Sequence, residues 1–369
     1  MTENRQKQRV IFLDLFRAFA VLMMVQGHTI DAVLSNSLKD INSTTYTTWL
    51  FFRGLTAPIF LFTSGTVFIY LFNLNNKPFR ENERVKKGLK RFLLLVFIGY
   101  VLRYPTFKIV DFSDVEDVQW KIFYAVDVLH LIGFGIFFLI AIEFFSEKLK
   151  INSNVLLTGS GLLVFLIFPV TEMIDWVKFL PWPIAGYFYK GTGSNFPLIP
   201  WIGYIFFGGV LGNILASNKV NFRDIKFSIF MFAIGFMIVG LSQLSDSFEI
   251  ALTGVSTYWT ISPNLHFFRF GIVLILTSIF SFISIEIHSI PKLIIVIGQN
   301  TLVIYCVHLV LLYGSAWNPL GIFLFIPHRL GLGLTLLVTL AMITLMIIMV
   351  YYLNKYKIKR KLKTKNEKK

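Results

Sequence analysis

Runs of about twenty apolar residues recur along the whole chain, and they limit its fold more than any other feature. A run of that length can cross a bilayer as a helix, which satisfies its own backbone hydrogen bonds in hydrocarbon. Ten such segments are read near residues 10–34, 49–73, 88–106, 123–145, 153–172, 198–216, 225–245, 267–287, 291–314 and 331–353. Only 15% of the 369 residues are charged, where a soluble domain carries about 25%. The fold class expected is therefore all-α, a polytopic integral membrane protein with about ten transmembrane helices. Forty phenylalanines suit lipid-facing and helix-packing surfaces. With no internal repeat and no long linker, residues 1–369 read as a single membrane-embedded domain ending in a basic tail at 354–369.

The net charge of +15 is distributed as a membrane topology and not as a nucleic-acid surface. With the amino terminus in the cytoplasm, 25 of the 35 Lys and Arg fall in inner loops and termini and 8 in outer loops. Arg17 and Arg53 lie inside segments. This asymmetry follows the positive-inside rule, so both termini are expected in the cytoplasm of a multi-pass cell-membrane protein, and the basic excess faces anionic lipid. The first apolar segment is interrupted by Asp14 and Arg17 and has no small-residue cleavage site, so it is expected to stay in the mature protein. A single cysteine, Cys306, excludes an internal disulfide framework and reads as a small buried hydrophobe.

The stretch from Arg9 to Asp31 is long enough to span, yet it holds Asp14, Arg17, His28 and Asp31. Ionisable groups at membrane depth are costly and point to function. At about 100° per residue, these four share a stripe roughly 100° wide with Val21 and Met24, and about 16 Å of helix separates Arg17 from His28. Elsewhere, Arg53 opens GLTAPIFLFTSG, Asp127 and His130 stand at i and i+3, and His266, Arg269 and His308 lie towards the outer side. Simpler roles compete at each position. Arg53 and Arg269 can snorkel to headgroups, Asp14 can neutralise Arg17, and His266, His288 and His328 can be interfacial. Two outer loops, 173–200 and 315–330, are rich in Trp and Pro; they fit either an aromatic belt or partly re-entrant segments covering a cavity.

No nucleophile elbow, zinc-protease helix, P-loop or dinucleotide fingerprint is present. A metal site from His28, His130 and His308 lacks any local ligand spacing, so no metal is expected.

The spacing of arginine, ten residues, then histidine in LDLFRAFAVLMMVQGH resembles the signature of the membrane acyltransferase superfamily. That superfamily includes the acyltransferase 3 family and the heparan-α-glucosaminide N-acetyltransferase-like proteins. FRGLTAPIFLFTSG at 52–65, DVLHLIGFGI at 127–136, FPLIPWIGYIFFGGVLG at 196–212 and IGQNTLVIYCVHLVLL at 297–312 are similar to stretches of the second group. The resemblance implies about ten helices around a path from a cytoplasmic acyl-CoA site to an extracytoplasmic acceptor. It implies transfer of an acyl group, usually acetyl, to an amine or hydroxyl of a sugar or glycan. It makes His28 the catalytic histidine and Arg17 the partner of the CoA or thioester end. The lysosomal heparan enzyme departs from this spacing, so its substrate is not carried over.

The chemistry of the residues is consistent with that reading. CoA phosphates need cations at the inner face, for which Arg9, Arg17, Arg84, Lys87 and Arg91 are candidates. A neutral imidazole at His28 suits the removal of the acceptor's proton. Either Asp31, about one turn beyond, or Asp127 from another helix is expected to orient it. Arg53 and Asn300 are candidates for the oxyanion, with His130 and His308 completing the acceptor side. Direct transfer and an acyl-histidine intermediate both remain open. The alternative class is a secondary transporter or flippase, whose intramembrane charges would line a midplane site, although no inverted pair of broken helices is visible. A catalytically inactive homologue is a third class, against which the intact Arg17 and His28 argue.

Overall fold

In the computed structural model, residues 10–74, 77–106, 108, 110–217, 221–287, 291–316 and 320–366 are described. Among them fifteen α-helices follow one another: α1 Ile11–Val33, α2 Thr44–Gly54, α3 Thr56–Asn73, α4 Glu83–Leu102, α5 Asp117–Tyr124, α6 Val128–Leu149, α7 Ser153–Met173 and α8 Trp182–Ala185. Then come α9 Leu198–Ala216, α10 Ile225–Thr253, α11 Pro263–Glu286, α12 Lys292–Gln299, α13 Thr301–Tyr313, α14 Ile322–Phe325 and α15 Leu332–Asn366. No strand occurs among the described residues. Polar caps open several helices where the apolar runs begin: the side chains of Asn82, Asn152 and Asp224 each accept from a backbone N–H two residues on.

Among the described residues, eight helices or continuous helix pairs are long and apolar enough to span. The pair α12 and α13, bent by 72°, makes nine. The remaining expected span, 88–106, corresponds to α4. Its first nine positions include Glu83, Arg84, Lys86, Lys87, Lys90 and Arg91, so only its second half is apolar. The protein is an all-helical, multi-pass membrane protein. Several helices outrun the apolar segments that announced them. The basic stretch after 353 continues as helix to Asn366 within α15, because lysine and arginine are good helix formers once outside hydrocarbon.

The chain divides into two compact units. The first comprises Met1–Val10 and Ala57–Glu286. Within it α10 packs along α11, α7 along α9, and α4 along α6. Phe207 stacks on Phe270 at 4.4 Å, and Phe165 meets Tyr204 at 5.0 Å. Hydroxyl and amide groups tie helices where no water competes. Ser278 donates to the Ser228 carbonyl at 2.6 Å, and Asn213 donates to Asn154 at 2.9 Å. The Trp- and Pro-rich 173–200 stretch is folded against this unit's own helices. Trp176 stacks on Phe188 at 4.8 Å, and the Ser194 hydroxyl accepts from the Val126 N–H at 3.0 Å.

The second unit comprises Ile11–Thr56 and Ile287–Lys369. Helix α1 is its axis, contacted by α2, α12, α13 and α15. Phe12, Phe16, Ala20, Val21, Val25 and Val33 are fully buried. The segment after α14 is laced onto the end of α1: His328 N–H donates to Ala32 O at 3.0 Å, and Leu330 N–H to Val33 O at 2.9 Å. In the 315–330 stretch, Trp317 and Pro319 lie outside the described residues, as do Arg9 and His288 elsewhere in the chain.

Candidate active site

The polar stripe of α1 meets the bent pair α12–α13 at two levels. At the lower level, the Arg17 guanidinium donates from Nη2 to Thr301 Oγ1 at 3.3 Å, at the first residue beyond the bend. Glycine makes this approach possible: a Cβ on Gly298 would lie 2.6 Å from the Asp14 carbonyl oxygen. Asn300, at the bend itself, donates to Val296 O at 2.8 Å and accepts from the Lys357 ammonium of α15 at 3.0 Å.

Eleven residues higher, and about 16 Å along the axis, His28 faces His308 of α13. Their ring centroids are 5.4 Å apart and the planes are tilted by 40°. His308 is fully buried, and its Nδ1 lies 2.8 Å from the Ile304 carbonyl oxygen. A carbonyl only accepts, so Nδ1 carries the proton and Nε2 presents a lone pair. That Nε2 is buried without a hydrogen-bond partner among the described residues. His28 is half-buried, and no described residue hydrogen-bonds to its ring. The edge of Tyr313 meets it at 6.3 Å and 90°, and the Tyr313 hydroxyl donates to the His28 carbonyl at 3.4 Å. The site thus holds two imidazoles, one with a fixed tautomer and one whose ring makes no hydrogen bond among the described residues.

Above this pair, Asp31 is engaged by cations. Arg53 donates to both its carboxylate oxygens, at 3.2 and 2.9 Å, and Lys39 donates to its backbone carbonyl at 2.8 Å. No hydrogen bond joins Asp31 to the His28 ring among the described residues; the carboxylate instead fixes a guanidinium about one turn further along the helix. Gly27 matters here, since a Cβ on it would press on the Arg53 stem at 3.2 Å. Lys39 also reaches His328 Nδ1 at 2.9 Å.

The remaining sequence candidates lie in the first unit. Asp127 caps α6, accepting from the Leu129 N–H at 2.9 Å, and stands 2.9 Å from His130 Nδ1 and 3.6 Å from Arg103. His130 is fully buried, edge-on to Tyr100 at 4.4 Å, and the Tyr100 and Tyr187 hydroxyls bond at 3.0 Å. Burial, then the Tyr100 hydrogen bond, pushes the Tyr187 phenol well above its ordinary range. Arg84, Lys87 and Arg91 stand on the first turns of α4. Lys87 pairs with Glu83 at 2.6 Å in solvent, and that hydrogen bond holds the Glu83 carboxyl below its usual range. His266 is enclosed by Phe168 at 4.9 Å and Trp201 at 5.8 Å, with Tyr204 hydroxyl 3.1 Å from its Nδ1. Arg269 lies 6.0 Å from the centroid of the Trp201 ring.

The structure therefore brings together His28 with His308, Asp31 with Arg53, and Asp127 with His130. It also adds residues that sequence reasoning passed over: Thr301, Tyr313, Lys39 and Lys357. The polar triplet Gln299-Asn300-Thr301 inside an apolar run was the available signal for the bend. Nothing local marks Lys357 apart from its basic neighbours. Among the described residues, no group of three His, Cys, Asp or Glu could hold a metal ion.

The sequence profile of the heparan-alpha-glucosaminide N-acetyltransferase catalytic family matches residues 9–245. No curated protein and no solved structure matches the chain. The matched stretch includes Arg17, His28, Asp31, Arg53, Asp127 and His130 and stops short of α11, so Asn300, His308 and Lys357 lie beyond it. With well over half its length matched, and with the histidine-bearing first helix inside the match, the chain belongs to the membrane N-acetyltransferase family of heparan-alpha-glucosaminide N-acetyltransferase catalytic domains.

Proposed function

We propose that the protein transfers an acetyl group from cytosolic acetyl-CoA to an amine or hydroxyl of a sugar or glycan on the extracytoplasmic side. The observation that carries this reading is the His28–His308 pair, 5.4 Å apart, at the far end of a helix stripe that begins at Arg17. The loop charges support the direction, with Arg17 nearer the cytosolic donor and His28 nearer the acceptor. The basic turns of α4, with Arg84, Lys87 and Arg91, contribute a positive field that attracts an anionic donor.

His28 acts as the base. As the acceptor's nitrogen or oxygen bonds to the acetyl carbon, its proton passes to His28. The carbon–sulfur bond then breaks, and the departing thiolate takes that proton from the imidazolium. His308 Nε2, with its lone pair fixed, supplies an acceptor for the substrate's N–H or O–H beside His28. Arg53, held by Asp31, provides positive charge where the carbonyl oxygen becomes negative. A two-step route through acetyl-His28 uses the same placement, and rapid quenching with mass analysis of the α1 peptide separates the two routes.

The test is thiol release from acetyl-CoA by the protein in nanodiscs, together with glycan masses from cells with and without the gene. An increment of one acetyl on the glycan, lost with His28→Ala, is expected. Undiminished acetylation and thiol release in His28→Ala would remove the mechanism, and an unchanged glycan mass would favour transport.

A further inference from the structure

The bend between α12 and α13 gathers charge in a way that the acetyl-transfer reading leaves unused. Two cations from different helices reach consecutive residues there: Arg17 of α1 donates to Thr301 and Lys357 of α15 to Asn300. Among the described residues no carboxylate pairs with Lys357; its recorded partner is the neutral Asn300 amide oxygen. An ammonium has three donors, so this contact leaves two for an incoming anion. Asn300 is itself held, since its Nδ2 donates to Val296 O at 2.8 Å. The amide therefore presents its oxygen, and with it the lysine, at a fixed place on the bend. Lys357 is exposed, as a group that meets a soluble anion must be. Asp14 stands one turn before Arg17 on α1.

The distance from this place to the histidines suits one kind of anion. Along α1, Arg17 stands about 16 Å from His28. In a CoA thioester, about thirteen bonds join the pyrophosphate to the sulfur, and at ordinary amide-chain bond lengths they extend about 16 Å. A donor whose thioester lies at His28 and whose pantetheine arm follows the α1 stripe would bring its phosphates to the level of the bend. We propose that Lys357 and Asn300, beside Arg17, form the subsite for the phosphates of the acyl donor. This rests on the acetyl-transfer reading and extends it to a helix outside the matched family region. Lys357 supplies the charge-assisted hydrogen bonds, and Asn300 positions it. The tail helix of α15, with Lys355, Lys359, Arg360 and Lys363 around that position, then belongs to donor binding as well as to topology.

Phosphate chemistry is shared by the donor and by anionic lipid headgroups, and the experiment separates them. Thiol release is measured in nanodiscs of zwitterionic lipid alone and of zwitterionic lipid with phosphatidylglycerol. The substrates are acetyl-CoA and acetyl-pantetheine, which lacks the phosphates. With Lys357→Ala, the KM for acetyl-CoA is expected to rise about tenfold at unchanged kcat, by the loss of one charge-assisted hydrogen bond. The KM for acetyl-pantetheine should stay as it was, and Lys357→Arg should restore most of the acetyl-CoA affinity. Equal effects on both thioesters, or none on either, overturn the subsite. An effect seen only with phosphatidylglycerol present also overturns it and assigns the lysine to lipid. A wild-type protein that releases no thiol from acetyl-CoA brings down the acetyl-transfer reading itself, which an effect confined to the variant does not.

Discussion

Two histidine sites in this protein carry similar groups and are built to opposite ends. In the first unit His130 has the partner that a catalytic imidazole is usually given, a buried carboxylate 2.9 Å away. In the second unit, among the described residues, no carboxylate hydrogen-bonds to the His28 ring, which meets the ring of His308 and the edge of Tyr313. Yet His130 is walled in: a Cβ on Gly99 would lie 2.5 Å from its Cε1, and Tyr100 covers it at 4.4 Å. Its carboxylate is also the cap of α6. His28 is half-buried. A carboxylate–histidine contact is thus here a device for starting a helix in a dry setting, while the imidazole proposed as the base is the one whose ring makes no hydrogen bond among the described residues.

The sharpest way to break this contrast is to remove each ring. His28→Ala should lower acceptor-dependent thiol release by about 10²–10⁴-fold, the usual contribution of a general base, with little change in melting temperature. His130→Ala should instead leave a cavity beside an intact Asp127 cap and cost about 2–4 kcal/mol of stability, read as a lower melting temperature in detergent. The folded fraction should retain turnover within a few-fold. If His130→Ala abolishes turnover at unchanged stability while His28→Ala does not, the roles assigned to the two sites are reversed.

The Asp31–Arg53 pair tests the same contrast at smaller amplitude, because here the carboxylate serves a guanidinium and not an imidazole. Asp31→Asn and Arg53→Gln should each lower kcat about tenfold. The double variant should lose far less than the product of the two, a coupling of about 1 kcal/mol for groups in direct contact. Strict multiplicativity would mean that Asp31 acts on His28 independently of Arg53. Gly298→Ala comes next. Its new methyl would press on the Asp14 carbonyl 2.6 Å away, parting α12 from α1 at the Arg17 level and costing about 1–3 kcal/mol, measurable as a lowered melting temperature. No loss of stability would show that the helices separate freely there.

Much of this was legible beforehand, for a physical reason. Apolar run length and the angular spacing of Arg17 and His28 are properties of one segment, and α1 displays both without reference to any other helix. Partnerships are not local. Asp31 and Arg53 are separated by 22 positions, and His28 and His308 by 280, so only packing decides whether either pair meets. Sequence spacing placed Asp31 about a turn from His28 and suggested that it orients the ring; the turn of α2 instead presents Arg53 to that carboxylate. The apolar half of α4 read as a full span because hydropathy averages over a window, whereas its charged first turns are helical too. Lys357 was hidden for a related reason: it belongs to a uniformly basic tail, and only its helical continuation selects one lysine to reach Asn300.

The mildest test concerns Tyr313, which touches His28 without touching its ring nitrogens. Its hydroxyl donates at 3.4 Å to the His28 backbone carbonyl, a long bond at a position that is itself 43% exposed, so little stability depends on it. What it fixes is the angle at which the aromatic edge meets the imidazole. Tyr313→Phe keeps the ring and removes the bond, and should lower kcat about two- to fivefold at unchanged donor KM, in keeping with a net hydrogen bond of about 0.5–1 kcal/mol. Tyr313→Ala removes the edge contact too and should lower kcat further. Equal effects of Phe and Ala would assign the whole contribution to the hydroxyl. A rise in donor KM without a fall in kcat would place Tyr313 in donor binding and separate it from the orientation of His28.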